Sequence, residues 1–526
     1  LQGAEIIKVT DEHADYLRDE SRSVGRAESI SFPADETAVV NILTEVRQAG
    51  SHLTVQGART GIAAGAVPDG GHIMNLSRMN RITGLRRDAA GTFFLTVQPG
   101  VILSELRSAL AGKRFETDGW SEAATACLNE FRAAGPWFFP SDPTETSASL
   151  GGMAACNASG ARSFRYGPVR PYIEGLRAVT ADGTVLELRR GREKAAGRDF
   201  CLRQGDRVVA AGRLPAYELP AVKNASGFYA IDNMDLLDLF IGSEGTLGII
   251  TELELRLLPE PPLQWGMTSF FPSEAEAIDF VRQVRDTAAD RKPVAIEYFN
   301  YQALDLLRAQ RANPAFADIP ELPPEYYTAI YTEFHGTDED SVTDALGEAS
   351  EKLIACGGDD ATTWLAMNDR EMERQHFFRH AVPEAVNLLI DRRRRYEPGL
   401  TKLGTDMAVP DAALADIVAM YNRDLASSGL EAVMFGHIGD NHIHVNILPN
   451  SLAEYRQGRE LYTNWAREVI RSGGTVSAEH GVGKLKAALL REMYGEAGIA
   501  QMRAVKEAFD PEWRLNPGNL FAASPK

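Results

Sequence analysis

Gln56-Gly-Ala-Arg-Thr-Gly-Ile-Ala-Ala-Gly-Ala66 is the stretch on which the fold turns. It follows His52-Leu-Thr-Val55, an apolar run that reads as a buried strand. Small residues directly after a strand let successive backbone N–H groups approach an anion closely and form a concave nest for phosphate. The spacing matches neither Gly-x-Gly-x-x-Gly nor Gly-x-x-x-x-Gly-Lys-Ser/Thr, so nicotinamide and nucleoside-triphosphate sites lack their usual signal. Standing alone, such a block would be a tight turn.

Two further blocks of small and hydroxyl-bearing residues accompany it. They are Pro140-Ser-Asp-Pro-Thr-Glu-Thr-Ser-Ala-Ser-Leu-Gly-Gly-Met-Ala-Ala-Cys-Asn-Ala-Ser-Gly160 and Ile241-Gly-Ser-Glu-Gly-Thr-Leu-Gly-Ile-Ile-Thr251. Three such blocks in one domain can line an extended groove for a dinucleotide. Ahead of the first block residues 36–49 carry a helical period; between the blocks Phe93-Phe-Leu-Thr-Val97 reads as a strand and Val179-Thr-Ala-Asp-Gly-Thr-Val185 as a hairpin with an Asp-Gly turn.

Leu258-Pro-Glu-Pro-Pro-Leu263 reads as a boundary, because consecutive prolines end a strand and stiffen a connection. Beyond it, a helical period over Ala275 to Ala288 and a strand-like run over Val294 to Tyr298 predict an α+β second domain. A chain of 526 residues exceeds a single hydrophobic core. The expected division is 1–260, 261–505 and a turn-rich tail, 506–526, that returns to the first domain.

The second half holds the chemistry. Phe435-Gly-His-Ile-Gly-Asp-Asn-His-Ile-His-Val-Asn446 and Ser477-Ala-Glu-His-Gly-Val-Gly-Lys484 together contain four of the ten histidines. His437 and His444 flank a Gly-Asp-Asn turn that can fold them toward one point, and Glu479 adds a carboxylate. Two imidazoles and a carboxylate suit a catalytic divalent metal, zinc, manganese or iron.

With 73 acidic and 55 basic residues the net charge is −18, which disfavours nucleic acid as a partner. Cys127, Cys156, Cys201 and Cys356 are far apart, so no iron–sulfur cluster or Cys-type zinc site is expected, only reduced, buried thiols. No apolar run approaches a membrane span, and Leu1-Gln-Gly-Ala lacks a signal-peptide pattern, so the expected location is cytoplasmic, with any membrane association made through a partner. The runs Arg189 to Arg198 and Arg392 to Arg395 read as a solvated insertion loop and a solvated helix face.

In this order, the three blocks and the late His and Glu-His motifs resemble the flavin oxidoreductases of the vanillyl-alcohol oxidase and para-cresol methylhydroxylase superfamily, in the D-lactate, glycolate and D-2-hydroxyglutarate dehydrogenase branch. The resemblance runs from about Phe32 to Phe521. It implies an α+β fold, with a two-subdomain FAD-binding domain of the PCMH type and a cap domain built on an antiparallel sheet.

The same resemblance assigns residues. Gly57, Ala58, Arg59, Thr60, Gly61 and Gly65 would wrap the FAD pyrophosphate. Pro140, Asp142, Ser149, Gly152, Asn157, Ser159 and Gly160 would run along the flavin and ribityl chain, and Glu244, Gly245, Gly248 and Ile250 would hold the adenine side. Asn516 matches a position near the isoalloxazine. No histidine lies in these blocks, so the FAD is expected to be non-covalent. His437, His444 and Glu479 match metal positions, His480 the general base, and Arg379 the arginine that clamps the substrate carboxylate.

Three departures stand out. Arg59 replaces a common small residue, and its guanidinium could contact a phosphate. His442 stands where Asn is usual. Gly404 stands where some relatives carry a substrate-contacting lysine, with Lys402 the candidate to compensate.

The implied activity is oxidation of a D-2-hydroxy acid to a 2-oxo acid, with hydride transfer to flavin N5. The implied partners are the small acid and a separate electron acceptor: electron-transfer flavoprotein, a quinone, a cytochrome or an iron–sulfur subunit. A homodimer is compatible with the reading. The rivals are a non-redox enzyme of the alkylglycerone-phosphate synthase type, which carries histidine in place of Glu479, and a flavoprotein electron-transfer or binding subunit. A zinc hydrolase would leave the three Gly-rich blocks unexplained, and an aryl-alcohol oxidase would leave the metal set unused.

Overall fold

Parallel pairing of Leu53–Gln56 with His72–Asn75 places the first Gly-rich block at the edge of a four-stranded sheet completed by Ser29–Ser31 and Ile7–Lys8. This computed structural model describes residues 5–522, and the N-terminal tetrapeptide read above lies outside them. The helix Glu36–Gln48, capped by Asp35 on the Ala38 amide, covers this sheet. Its stripe Val39, Ile42, Leu43 and Val46 packs on Leu53, Met74 and Leu515.

Within the same core His72 is 1 % exposed and lies between two hydroxyls, Ser29 Oγ at 2.8 Å and Ser31 Oγ at 2.7 Å. Burial pulls its imidazole from the ordinary 6.5 down to about 4. The unfolded chain therefore takes up this proton first as pH falls. Stability is full above pH 6.5 and is lost toward pH 4, by up to about 3 kcal/mol from this group. Urea midpoints measured across that window should fall in the parent and flatten in His72→Gln; equal slopes would refute the assignment.

A second sheet, all antiparallel, runs in the order Ile82–Arg87, Phe93–Val97, Ile249–Arg256, Ile173–Val179, Val185–Arg189. The expected hairpin is present, with Val179 opposite Val185 and Gly183 at φ +87°. The third Gly-rich block leads directly into its central strand, Ile249–Arg256.

Leu263 opens the first strand of an eight-stranded antiparallel sheet. Seven strands run in the order Trp364–Ala366, Leu263–Phe271, Thr328–Gly336, Ala295–Phe299, Ala432–Gly436, His442–Ile447, Leu403–Gly404, and Met407–Ala408 also pairs with His442–Ile447. The period of two in each strand divides its side chains between two cores. Met267, Ile296, Ile330, Met434 and Val445 face the helices Glu274–Arg285, Glu339–Ala355, Leu414–Ser428 and Leu452–Arg471. Phe270, Phe299, Tyr331 and Val433 face Tyr301–Gln310 and the long helix Asp369–Arg394. The α+β class and the antiparallel cap sheet are therefore as expected.

Several local expectations are corrected. Ile499, Met502, Val505 and Phe509 of the helix Ala487–Phe509 pack in the first-half core. Gly495, at φ +66°, breaks that helix; before the break Leu489 packs in the cap core and Leu490 in the first-half core. The Arg189 to Arg198 run is not simply solvated: Arg190 pairs with Asp238 at 3.0 Å and Arg189 with Glu254 at 3.0 Å. In the Arg392 to Arg395 run, Arg392 and Arg395 are exposed, while Arg393 and Arg394 donate to the Leu448 and Leu400 carbonyls. Cys127 and Cys356 are buried free thiols, but Cys201 is exposed, on an outward position of the edge strand Asp199–Gln204. Among the described residues no helix is long and apolar enough to cross a membrane.

Candidate active site

The strand His442–Ile447 sends Ile443, Val445 and Ile447 into one apolar core. Alternation turns His442 and His444 to the opposite face, together with Glu297 and Glu333 of the neighbouring strands. His437 enters from the turn Ile438–Asp440, whose reversal depends on Asn441 in the left-handed region at φ +53°. Gly436 is required there: a Cβ would sit 2.9 Å from the His444 ring.

Glu479 is the point of convergence. Its Oε1 lies 3.3 Å from His437 Nε2, 3.2 Å from His444 Nε2 and 3.4 Å from His480 Nε2. Its Oε2 accepts from Lys223 Nζ at 2.7 Å. Burial alone would raise this carboxyl, but Lys223, followed by His437 and His442, holds it well below the usual carboxylate range. Burial also opposes charge on His437, yet Glu297 and Glu479 on either side push its imidazole up to about 9.

Outer partners aim the rings. His437 Nδ1 lies 2.7 Å from Glu297 Oε1. His444 Nδ1 lies 2.8 Å from the Thr405 carbonyl, which can only accept, so this nitrogen carries the hydrogen and Nε2 presents its lone pair. That lone pair faces a carboxylate oxygen, an arrangement that calls for a cation between them. Carboxylate or carbonyl partners behind metal-ligating imidazoles do this job widely. The donor set thus fits a divalent metal.

His480 is the exposed member of the group, its side chain 26 % accessible and stacked on His444 at 5.2 Å. Asp406, fully buried, stands behind it. The Asp406 carboxylate accepts from the Glu479 and His480 amides at 3.1 and 3.0 Å, from Ser477 Oγ at 2.8 Å and from Lys486 Nζ at 2.6 Å. It also lies 3.5 Å from His480 Nδ1.

Arg379 comes from the long helix to the same face, 9 % exposed, with Nη2 3.8 Å from Glu297 Oε2. Its guanidinium lies 5.2 Å from the Tyr331 ring centre, and its buried Nε has no hydrogen-bond partner. Pro383 sits one helical turn later and lacks the N–H that would close on the Arg379 carbonyl.

The Gly-rich blocks surround this centre. The Arg59, Thr60 and Gly61 amides meet no protein acceptor among the described residues, and the Ala58 amide donates to Ser149 Oγ at 3.2 Å. Gly57 approaches Ser149 so closely that a Cβ would lie 2.1 Å from its Oγ. In the second block Ser159 Oγ is buried without a partner, and a Cβ on Gly160 would meet the Asp142 carbonyl at 1.7 Å. Pro140 is buried, and Gly152 packs beside Ser149. Free consecutive amides, an orphaned hydroxyl and backbone approached without side chains fit a pyrophosphate and its sugar chain.

Other expected cofactor residues have their side chains engaged by the protein. Glu244 accepts from the Val482 and Gly483 amides at 2.6 and 2.7 Å, tying the third block to the loop that carries His480. Asn516 accepts from the Val55 amide and donates to the Glu244 carbonyl. Gly245 lies against Asn516, Gly248 against Phe240, and Gly65 near Asn519. Asn157 accepts from the Arg170 amide, Ile250 lies in the first-half core, and Asp142 pairs with Arg107 at 2.8 Å. Arg59 adopts φ +63° and lies over the Tyr16 ring at 4.4 Å.

Comparison with known proteins adds the family. Residues 265–520 match the family described as "FAD linked oxidases, C-terminal domain", and residues 27–125 and 123–189 match "FAD binding domain". A probable mitochondrial D-lactate dehydrogenase of Danio rerio is 31 % identical over 88 % of this chain and 78 % of its own. The chain belongs to the FAD-linked oxidases. A D-2-hydroxyglutarate dehydrogenase of Xanthomonas citri pv. viticola is 29 % identical over 94 % of this chain and 89 % of its own. Among solved structures, an alkyldihydroxyacetonephosphate synthase superposes with a TM-score of 0.61 at 16 % identity, covering 94 % of this chain and 77 % of that one, a likeness of fold alone.

Sequence reasoning did not single out several groups that build the site of this FAD-linked oxidase. Asp406, Glu297 and Glu333 are carboxylates inside apolar strand-like runs, and that mismatch was the available signal. Lys223, from a loop of the first half, carried none. It is also the lysine that reaches the cluster. Burial and the neighbouring Arg22 guanidinium lower the Lys402 ammonium to about 8.

Proposed function

We propose that this chain is an FAD-dependent dehydrogenase that oxidises a D-2-hydroxy acid to the corresponding 2-oxo acid. The names of its relatives point to D-lactate or D-2-hydroxyglutarate. One observation carries the reading. Lys223 donates both to Glu479 Oε2 and, at 3.3 Å, to the Gly160 carbonyl of the second Gly-rich block, so the histidine cluster and the flavin groove are joined by a single side chain.

FAD, when bound along the three blocks, supplies a two-electron acceptor, and a divalent metal at His437, His444 and Glu479 supplies Lewis acidity. The remaining work belongs to the chain. Arg379 binds the substrate carboxylate through its planar fork, and Tyr331 stacks behind it. His480, the accessible imidazole, takes the hydroxyl proton, and Asp406 holds that ring in place. Electrons then leave to a separate acceptor.

The direct test is an anaerobic visible spectrum before and after adding D-lactate, D-2-hydroxyglutarate, glycolate and L-lactate separately. Bleaching by one D-acid supports the proposal; a flavin band unmoved by every acid overturns it. In Arg379→Lys, kcat/KM for that acid should fall about 10²-fold, mainly through KM, because a point ammonium cannot reproduce two parallel charge-assisted hydrogen bonds. Unchanged kinetics would remove Arg379 from this role.

A further inference from the structure

His442 is the residue of the cluster with no assigned work. It is 0 % exposed, and neither ring nitrogen makes a hydrogen bond of acceptable geometry. Nε2 lies 3.0 Å from Asp406 Oδ1 but off the N–H direction, and Nδ1 lies 3.9 Å from Glu479 Oε2. Leaving a buried imidazole unpartnered forfeits its hydration without replacing it, so a native structure that keeps one calls for an explanation. Its position on the strand explains its aim. Residues 442 and 444 are two apart, so both imidazoles leave the same face of His442–Ile447, with ring centres 4.3 Å apart.

We propose that His442 is a fourth protein ligand, making the metal site of this chain a three-histidine, one-carboxylate site rather than two histidines and a carboxylate. Ligand atoms of His437, His442, His444 and Glu479 all lie within 4.8 Å of one another. Asp406 stands beside the far nitrogen of the His442 ring, as Glu297 does for His437 and the Thr405 carbonyl for His444. Each of the three imidazoles thus has an outer oxygen within 3.0 Å of one nitrogen, hydrogen-bonded at His437 and His444 and only close at His442, and Glu479 within 4 Å of the other.

This inference rests on the metal reading above, and the test separates the two. Full-length protein stripped with a chelator is titrated with Zn²⁺ against a chromophoric competitor, as wild type, His437→Ala and His442→Asn. His442→Asn should weaken zinc binding at least about tenfold, with flavin content unchanged. Because a buried variant can fail to fold, imidazoles are also counted on zinc-loaded wild type by X-ray absorption, where three are expected. A count of two, with His442→Asn binding zinc as tightly as wild type and His437→Ala losing it, overturns the role of His442 and leaves the metal reading standing. Wild type that takes up no zinc, manganese or iron(II) overturns both.

Discussion

Glu479→Gln is expected to slow substrate-dependent bleaching of the flavin by about 10³-fold, to abolish metal uptake, and to leave flavin content unchanged. The effect is large because four groups depend on one carboxylate: His437, His444 and His480 face Oε1, and Lys223 faces Oε2. A neutral amide keeps the shape but not the charge. The Lys223 ammonium, buried beside it with side-chain exposure of 5 %, would lose its main counter-charge. Removing one member of a buried pair typically destabilises by about 3–5 kcal/mol. The variant should therefore unfold earlier in urea as well as turn over more slowly. Wild-type metal content in Glu479→Gln would remove this residue from the ligand set.

His480→Gln separates proton removal from metal binding. Here kcat should fall by about 10³-fold with little change in KM, while metal content, flavin content and stability stay near wild type. The contrast follows from exposure and partners. His480 is the accessible imidazole and its side chain reaches Asp406 only at 3.5 Å, so little packing is lost with it. The loop around it is held by backbone instead: Val482 and Gly483 on Glu244, and Lys484 on the Ala63 carbonyl. A rate fall of less than about tenfold would assign the proton to another group.

Together the two variants divide the cluster. Glu479 should change metal, stability and rate, whereas His480 should change rate alone. Loss of flavin from either would contradict the separation, since the free amides of Arg59, Thr60 and Gly61 lie in another loop.

Much of the fold was legible because its signals are local. The helix expected over residues 36–49 is Glu36–Gln48, and the strand expected over Val294 to Tyr298 is Ala295–Phe299. Period and capping depend on neighbours a few residues apart, which a chain displays directly. The histidine pair was legible for the same reason: a Gly-Asp-Asn turn returns His444 toward His437.

The site was legible only in part. Glu244, in the third block, and Asn516, near the C-terminus, match flavin-site positions, yet their side chains stitch distant segments, Glu244 to Val482 and Gly483 and Asn516 to Val55. Arg59 resembles an anion ligand in sequence, and nothing local announces the left-handed backbone and the Tyr16 ring beneath its guanidinium. Such outcomes depend on which segments become neighbours, and nothing within a few residues encodes that.

By itself, then, the sequence determined the α+β class, the three Gly-rich turns, and the chemical kinds of donor at His437, His444, Glu479 and His480. Tertiary structure alone decided that Lys223 from the first half neutralises Glu479, that Asp406 stands behind His480, and that Glu297 stands behind His437. The physical reason is the energy of buried charge. A carboxylate or ammonium is tolerated in these strands and loops only when a partner of opposite charge arrives, and that partner comes from a segment 74 to 256 residues away.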